Sequence, residues 1–164
     1  MSALNDYSGI TLVYGSEAVG SSNFDEVFGD KVAESNIKAG SFITTGATNG
    51  SVKEVSVGTD KIIGYAVPKE SQIKYGDTIE FTSSAGVKYQ RYTILAGTNV
   101  PYVLEGARIR FLVSADVLKG QAIYVDVATG FLTNVSTNNV RLGNSFFEQD
   151  VLTGNFAIVN FHLV

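Results

Sequence analysis

Short alternating runs closed by glycine turns, recurring roughly every 8 to 12 residues, constrain this chain more than any other feature, because only a sheet uses side chains with a period of two. The clearest run is Ala107 to Val113, in which Ala107, Ile109, Phe111 and Val113 point one way and Arg108 and Arg110 the other. Ala122 to Val127 follows, turns through Ala128-Thr129-Gly130 and returns from Phe131 to Val135 as a hairpin. Ser51 to Val57 and Lys61 to Val67 read as a second hairpin across Gly58-Thr59-Asp60. Thr78 to Thr82 and Val87 to Leu95 read as a third, across Ser83 to Gly86. Composition agrees: 17 glycines, 8 tyrosines and 10 phenylalanines stand against 2 prolines. The expected fold is all-β, a single-domain β-sandwich or barrel. Short helical turns are expected at Asn23 to Phe28, with Asn23 as cap and Glu26 three residues on, and at Pro68 to Ser71. Residues 1–30, rich in Ser and Gly, read as an N-terminal arm, and 31–164 as the β-domain.

The domain reads as built from related halves, 35–83 and 115–164. Ile37 to Ile43 aligns with Val117 to Ile123, which sets Gly40 and Gly120 80 positions apart. At that offset Gly50 meets Gly130 and Val52 meets Leu132. One deletion later Ile63-Gly64 meets Leu142-Gly143, and a further one brings Gly76-Asp77 over Gly154-Asn155.

Composition and motifs argue against several function classes. The chain has no cysteine and one histidine, so thiolate chemistry and a multi-histidine metal site are excluded. A net charge of −4 has the wrong sign for nucleic-acid binding through net charge. No apolar window reaches the roughly 18 residues needed to span a bilayer as a helix. His162 alternates with Asn160 on the polar side of an apparent strand from Val159 to Val164, and no G-x-S-x-G elbow supplies it with a nucleophile. Asp60, Asp77 and Asp126 are the carboxylates most like catalytic acids, yet aspartate is also an ordinary turn residue. Asp25 and Asp30 lack the alternating acids of an EF-hand. The expectation is therefore a non-enzyme with neither cofactor nor metal.

Lys38-Ala39-Gly40, Ile62-Ile63-Gly64-Tyr65-Ala66 and Tyr75-Gly76-Asp77-Thr78-Ile79-Glu80-Phe81 form a pattern, which Val117 to Asp126, Thr129-Gly130 and Leu142-Gly143 continue. This pattern resembles the capsid decoration, or structural cement, proteins of tailed bacteriophages, over roughly residues 35–164. The resemblance implies a small β-rich protein, often trimeric, that sits on the outside of an assembled shell and bridges major capsid protein subunits. It implies a virion location after synthesis in the host cytoplasm, with no catalytic residues, no nucleic acid and no membrane as partner. Tyr7, Tyr14, Phe24 and Phe28 of the arm would be apolar anchors on the shell or on another protomer, and Arg108 and Arg110 would face an acidic partner surface. The alternative reading is another virion part, such as a tail component or a receptor- or glycan-binding module.

Overall fold

A computed structural model describes residues 12–16, 27–68 and 75–163. These residues form an all-β protein, and none of them is helical. The helical turns expected at 23–28 and 68–71 lie largely outside the described residues; Phe28 itself forms a β-bridge with Tyr102.

The largest sheet runs in the order β2 (Val32–Ala33), β5 (Ser51–Glu54), β4 (Phe42–Thr45), β6 (Gly64–Ala66), β9 (Tyr102–Val103). A second sheet centres on β8 (Lys88–Ile94), which pairs with β1 (Leu12–Val13), β3 (Ile37–Lys38) and β7 (Tyr75–Thr82). β11 (Ala122–Val125) lies between β12 (Leu132–Thr133) and β13 (Val140–Phe146), and β10 (Glu105–Leu112) pairs with β14 (Phe156–His162).

The β7–β8 and β11–β12 hairpins form as the alternation predicts. The hairpin expected between 51–57 and 61–67 does not: β5 and β6 each pair with β4, which lies between them. The arm boundary at residue 30 also needs correction. β1 runs parallel to β8, with Leu12 opposite Tyr89 and Val13 opposite Gln90. The next residue, Tyr14, is fully buried among Phe81, Tyr89, Phe111 and Phe131. Residues 12–16 thus belong to the fold.

The two halves share one hydrogen-bonding scheme. The Glu34 N–H donates to the Val52 carbonyl over 2.9 Å, and the Ser114 N–H, 80 positions on, donates to Leu132 over 2.9 Å. Gly46 to Ser51 and Asp126 to Phe131 match in the same way, both at 2.8 Å. Gly40 and Gly120 both have φ of 89°, a conformation that costs glycine little because it has no Cβ. Past this point the correspondence departs from the sequence alignment. The Ala66 N–H donates to Ser41 as the Phe147 N–H does to Gln121, both at 2.9 Å, so Gly64 corresponds to Ser145 and not to Gly143. The Gly97 N–H donates to Ala33 (2.8 Å) as Gly154 does to Val113 (3.0 Å). The partner of Gly154 is therefore Gly97 and not Gly76. The first half carries 28 residues between Ala66 and Leu95, including β7 and β8, where the second carries four between Phe147 and Leu152.

Burial separates the halves. Ile43, Val52, Ala66 and Tyr102 pack together on one face of the large sheet, and their counterparts Ile123, Leu132, Phe147 and Val159 are equally buried. The opposite face of the first half, with Phe42, Tyr65 and Val103, is closed by aromatic rings of β10 and β14: Phe111 stands 5.5 Å from both Phe42 and Tyr65, and Phe161 5.4 Å and 5.3 Å from them. The counterparts on the second half are Ala122, Phe146 and Asn160, and among the described residues they stay more open: Phe146 is 49% exposed and Asn160 is exposed.

Candidate functional site

Beside Asn160 lies a groove of about 840 Å³ walled by β10, β13 and β14. Its polar lining is Glu105, Asn144, Ser145, Asn160 and His162, and Gly106, Ala107, Gly143, Phe161 and Leu163 complete it.

Strand pairing sets this lining. Glu105 lies opposite His162 in the β10–β14 ladder, and its carboxylate is 2.5 Å from His162 Nδ1. A bulge follows, since Gly106 faces Phe161 but Ile109 faces Val159, leaving Ala107 and Arg108 against Asn160. Arg108 takes a φ of 57°, rare for a residue with a side chain, and its N–H donates to Asn160 Oδ1 over 2.8 Å. Asn160 Nδ2 donates to Glu148 over 3.2 Å, so the carboxamide is held from both ends.

The seam between β13 and β14 differs from its counterpart in the first half. There β6 and β9 form a ladder, Tyr65 opposite Val103, whereas β13 and β14 belong to separate sheets. β13 bulges between Arg141 and Phe146. Arg141 fills the gap: its Nη1 donates to the carbonyls of Ile123 (2.8 Å) and Ser145 (2.7 Å), where in the first half the Ile63 N–H donates to Ile43 (2.9 Å). The guanidinium also lies 5.1 Å from the Phe146 ring centroid and 5.5 Å from that of Tyr124.

The groove can bind through hydrogen bonds. A histidine oriented by a carboxylate is half of a general-base arrangement, but no hydrogen bond joins it to the Ser145 hydroxyl among the described residues. Nor do the described residues place three His, Cys, Asp or Glu side chains together to hold a metal ion.

The residues singled out from the sequence disperse. Tyr7 and Phe24 lie outside the described residues. Tyr14 is taken up by its own chain's core, so it is not a surface anchor. Phe28 is half-buried and stacks on Tyr102 at 5.5 Å. Arg108 is exposed, but Arg110 is only 7% exposed, with its Nη1 bonded to Ser16 Oγ at 3.2 Å. The two arginines do not share a face, because the bulge shifts the alternation between them. Asp60 accepts the N–H groups of Ser56 and Val57, and Asp126 accepts the Ser114 hydroxyl and the Ala128 N–H, so both brace turns. The Asp77 side chain and Asp25 are outside the described residues. Asp30 accepts the Tyr102 hydroxyl over 2.7 Å, a bond that lowers its pKa, while burial and Asp30 push Tyr102 up to about 12. Sequence reasoning did place His162 on a polar strand face but missed Glu105, Asn144 and Ser145, whose proximity depends on cross-strand register.

No family model matches the chain, and no curated protein matches it.

Proposed function

We propose that the protein is a structural component of a tailed-phage virion that binds the outside of the assembled capsid and stabilises it, without catalysis and as a homo-oligomer, with a trimer favoured. The motif resemblance supports this reading, and one structural observation carries it. Leu118 and Leu152 are 57% and 67% exposed and flank the Val117–Val151 bridge, which makes a paired apolar tip on a chain with few charges. Such a tip suits the apolar centre of a protein contact. A protein that binds only the closed lattice stabilises that lattice by mass action, and an oligomer multiplies weak contacts through avidity.

Co-sedimentation of the full chain with expanded and unexpanded empty capsids tests the proposal. Saturable pelleting with expanded shells is expected, and Leu118→Ser with Leu152→Ser should weaken it. An arm contribution is tested by removing residues 1–11 only, because Tyr14 belongs to the core. Absence of pelleting with either shell would refute the assignment.

A further inference from the structure

We propose that the groove between Glu105, Asn144, Asn160 and His162 is a binding site for a neutral, hydroxyl-rich ligand, a short glycan segment. The proposal does not depend on capsid binding, which concerns a different surface.

The site is open where the first half is packed. On the first half the equivalent face carries Val103 and Tyr65 and is closed by Phe111 and Phe161. On the second half the exposed Asn160 replaces Val103, and the groove beside it has Asn144 and His162 in its lining. The recess of about 840 Å³ lies within the range of about 300–1,000 Å³ usual for small-ligand sites.

Its hydrogen-bonding inventory selects the ligand class. His162 Nδ1 is engaged by Glu105, which leaves Nε2 for a ligand. Asn160 spends one acceptor site on Arg108 and one N–H on Glu148, keeping one of each. With Asn144 and Ser145, the groove offers donors and acceptors side by side, the pairing that sugar hydroxyls need, since each both donates and accepts. A phosphate or other polyanion fits poorly, because Glu105 and Glu148 offset the adjacent Arg108. A β-strand cannot insert into the seam: a Cβ on Gly143 would lie 2.6 Å from the His162 carbonyl oxygen, so the floor is closed. Arg108 keeps a strained φ of 57° through its bond to Asn160, which fixes the carboxamide before a ligand arrives.

His162 is the chain's single histidine, so its imidazole resonances report on the groove without ambiguity. The full chain is titrated by NMR with neutral tri- and tetrasaccharides of glucose, mannose, galactose and N-acetylglucosamine, up to about 10 mM, and separately with inorganic phosphate. At least one oligosaccharide should shift the His162 signals saturably, and Asn144→Ala should weaken binding about 3- to 10-fold. Asn160→Ala should do the same or more, but it also removes the acceptor for Arg108, so Asn144→Ala is the deciding variant. No shift with any oligosaccharide, a shift with phosphate alone, or unchanged affinity in Asn144→Ala would each overturn the proposal.

Discussion

The Tyr65 hydroxyl donates to the Gly15 carbonyl across 2.5 Å in the buried interior, tying the segment after β1 to β6 across 50 positions of sequence. Neither group has access to water, so removing the donor leaves a buried carbonyl unsatisfied. Tyr65→Phe should cost about 1–3 kcal/mol, read as a lower midpoint in chemical denaturation. Gly15→Ala should cost more, because a Cβ would meet the Tyr65 hydroxyl and lie 2.8 Å from the Gly40 Cα, at a φ of 74°. Equal stability of Tyr65→Phe and the parent would show that residues 12–16 are not docked as described.

Gly40 and Gly120 share φ but not surroundings, which turns the internal correspondence into a paired experiment. A Cβ on Gly120 meets open space, so Gly120→Ala carries only the left-handed strain, about 1–2 kcal/mol. A Cβ on Gly40 would sit 3.0 Å from both the Tyr14 ring and the Tyr14 carbonyl. Gly40→Ala should therefore be the more destabilising of the two in parallel thermal melts.

Burial pushes the Tyr14 hydroxyl up to about 12, against the opposing pull of Arg91, whose guanidinium lies 4.3 Å from its ring centroid. In the unfolded chain a tyrosine ionises near its usual value of about 10, so above that pH only the folded state keeps the proton. The stabilising contribution is complete below pH 10 and is lost as pH rises towards 12, by about 2–3 kcal/mol for this group. Denaturation midpoints measured from pH 8 to 12 should fall along that limb, and Tyr14→Phe should make it shallower, leaving the part that Tyr102, also pushed up to about 12, contributes in the same range.

Local periodicity made much of the fold legible. The β7–β8 and β11–β12 hairpins, the left-handed Gly130 and the polar-face position of His162 all follow from neighbours in sequence. Long-range pairing was not legible. β4 lies between β5 and β6 because it pairs antiparallel with both, and the short run Phe42–Thr45 carries no mark of its central place. The 80-residue offset was readable from glycines up to Gly130, but the residues that carry β7 and β8 shift everything after Ala66, which led Gly76 to be matched with Gly154. At Arg108 a bulge breaks strict alternation, so Arg110 turns into the interior instead of standing beside it. The Glu105–His162 pair, 57 positions apart, exists only through the β10–β14 register.

Cryo-electron microscopy of expanded empty capsids, incubated with saturating full-length protein, tests the central claim most directly. The account predicts added β-rich density at fixed lattice positions on the outer surface, with the Leu118 and Leu152 tip against the shell. Bare shells under those conditions, or density attached only to tail structures, would contradict it.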